Sequence, residues 1–160
     1  MLIKRDQPIL VMRVNEFRSY SFIEEHCRVI KHYGEAWMLK IGKTIPERSL
    51  LSIHEAGSVL LLRTPKKTGG KWYASHFVDF HFGAADKTMI YPEYYHELQA
   101  SIDELSLTGT WLKIDHLEEI DQCLLEHFSL IANKHSLVDV VNSTRTAYLY
   151  AKSDADIELK

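Results

Sequence analysis

Val59-Leu60-Leu61-Leu62-Arg63-Thr64-Pro65-Lys66-Lys67-Thr68-Gly69-Gly70-Lys71-Trp72-Tyr73-Ala74-Ser75-His76-Phe77-Val78-Asp79-Phe80-His81-Phe82 is the stretch that sets the architecture. The opening run is too short and too continuously apolar for a surface helix, and the turn-rich segment from Pro65 to Gly70 follows it directly, so a β-hairpin is predicted. The returning strand, 71–82, alternates. Trp72, Ala74, His76, Val78, Phe80 and Phe82 fall on one face, and Tyr73, Ser75, Phe77, Asp79 and His81 on the other. Aromatic residues on both faces imply a strand that touches two layers, as in a closed or strongly coiled, barrel-like sheet.

On the N-terminal side, Ile9-Leu10-Val11-Met12-Arg13-Val14 and Ala36-Trp37-Met38-Leu39-Lys40-Ile41 read as strands. Between them, Ser21 with Glu24 forms a capping box ahead of Phe22, Ile23, Cys27, Ile30 and Tyr33 at helical spacing, and Gly34 stops the pattern. Thr44-x-x-Glu47, with Pro46 in the first turn, predicts a second short helix ending at Gly57. On the C-terminal side, Pro92 opens a helix through Tyr94, Tyr95 and Leu98, and Gly109-Thr110-Trp111-Leu112-Lys113-Ile114 is a strand. Asp115 is expected to cap a helix carrying Leu117, Ile120, Leu124 and Leu125. Phe128 to Ala132 is expected as a strand, Ser136 as the cap of a helix through Val141, and Arg145 to Lys152 as the last strand.

Seven strands with interspersed short helices lack the regular strand–helix alternation of a parallel sheet, so the fold class is α+β with a small, mostly antiparallel, barrel-like sheet. The 160 residues show no repeat, linker or low-complexity segment. One domain, 1–152, is expected, followed by a polar C-terminal tail, 153–160, outside the core. A hydrophobic fraction of 46% and a charged fraction of 26% exclude disordered and membrane-spanning classes for the whole chain. The N-terminus lacks the apolar run of a signal peptide and the two cysteines, Cys27 and Cys123, are no disulfide framework, so a reduced, cytoplasmic protein is expected.

No catalytic signature is present. The hairpin has no P-loop spacing, the histidines show neither His-Glu-x-x-His nor a paired His-x-x-x-His, and no nucleophile motif occurs. No metal or cofactor is therefore expected. Asp79 and His81 project from one strand face but lack a third ligand, and the Glu93/Glu97 pair reads as solvated surface. What remains is the hairpin: Lys66, Lys67 and Lys71 beside Trp72 and Tyr73, suited to phosphate contact next to a stacking surface. With a net charge of −3, any nucleic-acid site must be local.

The order of elements from Ala36 to Phe82, with Trp37, Gly57-Ser58-Val59-Leu60-Leu61, Gly70-Lys71-Trp72-Tyr73-Ala74 and later Gly109-Thr110-Trp111-Leu112-Lys113-Ile114, resembles the PUA-like superfamily, including EVE and ASCH domains. That resemblance implies a pseudobarrel whose cleft accepts a nucleobase or another planar group, in RNA or modified DNA. The expectation is a noncatalytic binding domain, with Trp37, Trp72 and Tyr73 stacking and the three lysines on phosphate. The alternative is a protein-interaction or immunity-type module in which Tyr91, Tyr94 and Tyr95 contact a partner or a second copy. A further alternative is an enzyme using Asp79 and His81.

Overall fold

The runs Ile9–Arg13 and Val59–Arg63 lie side by side and parallel at the centre of the sheet, in register from Leu10 opposite Leu60 to Arg13 opposite Arg63. Both faces of this pair are covered. Ile9, Val11, Val59 and Leu61 enter one apolar cluster, and Leu10, Met12, Leu60 and Leu62 enter a second on the opposite face. A strand buried on both sides needs no polar alternation, which is why these runs are continuously apolar.

The computed structural model describes residues 1–102 and 106–159. In chain order the elements are β1 (Leu2–Ile3), β2 (Ile9–Arg13), α1 (Phe22–Tyr33), β3 (Ala36–Lys40), α2 (Glu47–Ala56), β4 (Val59–Arg63), β5 (Trp72–Ala84), α3 (Tyr94–Ser101), β6 (Thr108–Ile114), β7 (Glu118–Glu119), β8 (Phe128–Leu130), α4 (Leu137–Ser143), β9 (Tyr148–Ser153) and β10 (Ile157–Glu158). Short 3-10 turns occupy Lys66–Thr68 and Gln122–His127. The fold is thus mixed α+β, and every strand expected from the sequence is present.

The large sheet runs β3-β6-β5-β4-β2-β9-β8, with β7 also paired to β5. All pairings but β2–β4 are antiparallel. It is not closed: β3 and β8 are its two ends, so the barrel-like closure expected from the aromatic alternation does not occur. Strand β5 meets two layers by another route. Between Phe77, opposite Ile114, and Asp79, opposite Lys113, its register shifts by one residue. The extra residue, Val78, is exposed, and beyond it the alternation changes sides. Trp72 and Ala74 pack in the first cluster, whereas Phe80 and Phe82 join Tyr73 and Phe77 in the second. The two-face assignment read from strict alternation is therefore corrected from Val78 onward.

Helix α1 begins as expected: the Ser21 hydroxyl accepts from the Glu24 amide at 3.3 Å, and Gly34, at φ 87°, closes the other end. Helix α2 forms with Pro46, not Thr44, in the cap position and with no side-chain cap bond. Gly109 is required for another reason, since a Cβ there would collide with the Lys40 carbonyl of the adjacent strand β3.

Two expectations fail near the C-terminus. The helix from Asp115 is absent, because 118–119 pairs with the edge of β5 and Ile120 donates its amide to the Trp72 carbonyl at 2.9 Å. Pairing that exposed edge outweighs the helical spacing of Leu117, Ile120 and Leu124. Asp121 caps the following 3-10 turn instead, accepting from the Cys123 amide. The tail is also not peripheral: β10 pairs with β1, and Ile157 and Leu159 are buried in the first cluster. Polar neighbours disguised two inward-facing side chains.

Ile157→Ala is therefore expected to destabilise the fold by about 2–5 kcal/mol, as for a buried branched side chain. A urea-denaturation midpoint shift worth under about 0.5 kcal/mol, the scale of a surface change, would place the tail outside the core.

Candidate functional site

Because β2 and β4 are parallel, both deliver their following loops to one end of the sheet. Residues 14–21 leave β2, and the turn 64–71 leaves β4 and returns as β5. Both loops are tied down locally. Arg18 takes φ 54°, the Tyr20 amide donates to the Phe17 carbonyl at 2.9 Å, and the Glu16 carboxylate accepts from the Phe22 amide at 2.7 Å. In the hairpin turn, Gly69 and Gly70 adopt φ 109° and 57°, a region few side chains tolerate.

Cavities of about 200, 220 and 360 Å³ meet along the 14–21 loop. The first, on the α1 side, is lined by Asn15, Glu16, Phe17, Lys40, Tyr94 and Tyr95 among others. The second, on the α4 side, is lined by Arg13, Asn15, Arg63, Lys66 and Asn142. The third lies between loop and hairpin, with Arg18, Tyr20, Thr68, Lys71 and Tyr73. Arg13, Val14 and Asn15 border both of the first two.

The aromatic wall is held by a buried proton chain. The Phe22 carbonyl can only accept, so His26 Nδ1–H donates to it at 2.7 Å, and His26 Nε2 must accept from the Tyr95 hydroxyl at 2.6 Å. The same Tyr95 oxygen accepts the Leu39 amide at 3.2 Å, so α1, α3 and β3 are joined through one phenol. Tyr94 stacks on Tyr20 at 5.2 Å and on Phe17 at 6.3 Å. Burial pushes the Tyr94 hydroxyl well above its ordinary range and His26 down to about 4, the hydrogen bond to Phe22 opposing the latter.

The basic cavity is electrostatically one-sided. Arg13 and Arg63 are register partners on adjacent strands. Arg13 donates to the Val141, Thr144 and Thr146 carbonyls at the end of α4, where a cation is favoured. Arg63 Nη2 donates to Asn142 Oδ1 at 3.0 Å, while its Nε is buried without a partner. No carboxylate lines this cavity, and among the described residues Arg13, Arg63 and Lys66 form no ion pair. Burial, together with the Arg63 charge, lowers the Arg13 pKa.

The residues singled out from the sequence divide accordingly. Lys66 and Lys71 stand at this end of the sheet, Lys71 with Glu119 at 3.5 Å, and Lys67 is exposed on the same turn. Tyr73 is half-buried beside Lys71, whereas Trp72 is only 2% exposed, so its indole has no face for a ligand. Trp37 is half-buried against the cluster of Tyr94, Tyr95, Leu107 and Trp111, with the Lys113 ammonium over its ring, and lines none of the three cavities. Tyr94 and Tyr95 are buried, leaving Tyr91 of that trio half-exposed in a separate surface cleft. Asp79 and His81 do not converge: Asp79 accepts from the Phe80 amide, and His81 Nε2–H donates to the Ala84 carbonyl. Glu97 pairs with Arg18 at 3.3 Å. Cys27 and Cys123 are free thiols.

Arg13, Arg63, Phe17 and Tyr20 escaped the sequence reading. A signal existed, since each continuous apolar run ends on an arginine, and two buried strands ending alike place two cations together if the strands are parallel neighbours. No family model, curated protein or solved structure matches the chain.

The wall carries a pH prediction. His26 is neutral when folded, with its pKa depressed from 6.5 to about 4. The unfolded chain binds the extra proton, so this contribution is present above pH 6.5 and is lost as pH falls toward 4. It amounts to on the order of 3 kcal/mol. Denaturation midpoints measured from pH 7 to pH 4 should fall steeply in wild type and less steeply in His26→Gln; equal slopes would remove His26 from the account.

Proposed function

We propose that the chain is a noncatalytic binding module for a nucleotide or a single-stranded nucleic acid, bound at the carboxyl end of β2 and β4. The observation that carries the reading is the carboxylate-free cavity at Arg13, Arg63 and Lys66, with which no described carboxylate forms an ion pair. A phosphate supplies both the missing charge and acceptors for the guanidinium donors. The adjoining cavity of about 200 Å³ is on the scale of a single base, and it offers an aromatic ring from Phe17 with Asn15 and Glu16 as hydrogen-bonding edges. Lys71 and Lys66 extend the positive strip along the hairpin, as a backbone-tracking groove requires.

The kinship with PUA-like domains belongs to this proposal. It is supported by the succession of strand, helix, strand, helix and hairpin from β2 to β5, and a cytoplasmic setting accords with two free thiols. Among the described residues no helix is long and apolar enough to cross a membrane. One observation favours the interaction reading: a surface cleft of about 1200 Å³ between α1 and 89–97, with Tyr91 at its wall and Tyr33 56% exposed. It lacks the convergent charge that would select a ligand, with Glu25, Arg28, Lys31, Glu93 and Glu97 mixed along it.

Fluorescence anisotropy with labelled single-stranded oligonucleotides tests the proposal. Lys66→Gln with Lys71→Gln should weaken binding and flatten the slope of log affinity against log salt by about 1.4, at about 0.7 per single-strand contact. Phe17→Ala should weaken it by about 1–3 kcal/mol without changing that slope. Absence of wild-type binding to any oligonucleotide or nucleotide at low salt would overturn the reading and leave the cleft at Tyr91 as the working surface.

A further inference from the structure

The pairing of β5 leaves a local mismatch at the end of the β4–β5 ladder remote from the hairpin tip. Phe77 pairs with Ile114, and Ala74 pairs with Glu118. Between those points Ser75 and His76 face three residues, Asp115, His116 and Leu117, so the incoming chain bows outward. The bow is pinned: the Ser75 hydroxyl donates to the His116 carbonyl at 2.5 Å. The consequence is a convergence of ligand-bearing side chains invisible in the sequence, where His76 and Asp115 are distant.

One donor atom from each of His76, Asp115 and His116 lies within 4.8 Å of the other two. The two imidazoles meet edge to face, with centroids 5.2 Å apart. All three residues are half-buried, open enough for an ion and its water to reach them. His116 Nδ1 is 2.5 Å from Asp115 Oδ1, so the imidazole and the carboxylate already stand side by side, and an ion bound by both takes the place of that contact.

We propose that His76, Asp115 and His116 form a binding site for a first-row transition-metal dication of the zinc class. Two imidazoles and one carboxylate match zinc and its neighbours and not calcium or magnesium, which take oxygen ligands. Metal–ligand distances of about 2.0–2.2 Å require donor atoms closer together than the 4.8 Å limit, a contraction that side-chain rotation supplies because the backbone is already fixed by Ser75 and the flanking pairs. With three protein ligands the fourth position falls to water. Bound metal would cross-link β5 to the segment joining β6 and β7, independently of any ligand at the opposite end of the ladder.

The test is a Zn²⁺ titration of EDTA-dialysed full-length protein against a chromophoric chelator. One ion per chain is expected. His76→Gln, His116→Gln and Asp115→Asn should each weaken binding by about 10–100-fold or more, the scale on which even outer-shell partners act. His127→Gln, which alters an exposed imidazole paired with Asp154, should leave affinity unchanged. Circular dichroism in EDTA establishes that the variants fold. Should one fail to, Co²⁺ added to wild type must give visible bands of mixed nitrogen–oxygen ligation. Lack of stoichiometric Zn²⁺ binding, binding indifferent to these variants, loss confined to the two histidine variants, or a Co²⁺ spectrum of free aqua ion would each overturn the proposal.

Discussion

The one-residue register shift at Val78 governs the rest of the molecule. Before it, β5 is held between β4 and β7; after it, β5 is paired with β6. A strand of 13 residues with strict alternation would send Phe80 and Phe82 to the same face as Trp72, dividing its aromatics between layers without regard to what covers them. The inserted residue moves both rings onto the side where α1 and α2 pack, alongside Tyr73 and Phe77. The other face of β3 and β6 is then free to take Trp37, Leu39 and Trp111 into a third cluster beneath α3. One exposed valine thus separates three apolar clusters on a single sheet, where a closed barrel would have merged two of them.

The same logic separates what was legible in the sequence from what was not. Strand runs and the α1 caps were readable because local chemistry and tertiary need agree: Ser21 and Gly34 serve the helix whatever it packs against. The Asp115 helix was misread because apolar spacing at 117, 120 and 124 satisfies a helix equally well, and only the unpaired edge of β5, a nonlocal demand, decides against it. Closure was misread for a related reason. Aromatics on both faces of 71–82 were real, but a bulge and a barrel produce the same composition.

The candidate site shows a sharper form of that limit. Lys66 and Lys71 were visible because a hairpin tip is a local object. Arg13 and Arg63, 50 positions apart in numbering (63 − 13), meet only because β2 and β4 are parallel neighbours, an arrangement that no window of sequence contains. Aromatic count misled in the opposite direction. Trp72, Tyr94 and Tyr95 looked like ligand surfaces because they are large, yet size makes them the strongest contributors to the clusters that hold the sheet and helices together. The rings left near the surface, Phe17 and Tyr20, sit in an irregular loop with no periodicity to mark them.

Stability alone does not account for two arginines on adjacent strands. Like charges side by side on neighbouring strands cost free energy, and apolar side chains at these half-buried positions would extend the neighbouring cluster of Val11 and Leu61 at no electrostatic penalty. Arg13 has a structural use, since it satisfies carbonyls at the end of α4 that would otherwise lack donors. Arg63 does not: a single bond to Asn142 leaves Nε buried and unpartnered, and its charge lowers the pKa of its neighbour. An unmet donor beside a second cation is the opposite of what packing favours, and it stands in the cavity bordered by both loops and α4. Tyr150 Oη on β9 is the other buried side-chain atom without a partner among the described residues, but it belongs to a neutral hydroxyl; of the two, Arg63 alone joins an unmet donor to a charge, and it does so on the wall of the carboxylate-free cavity.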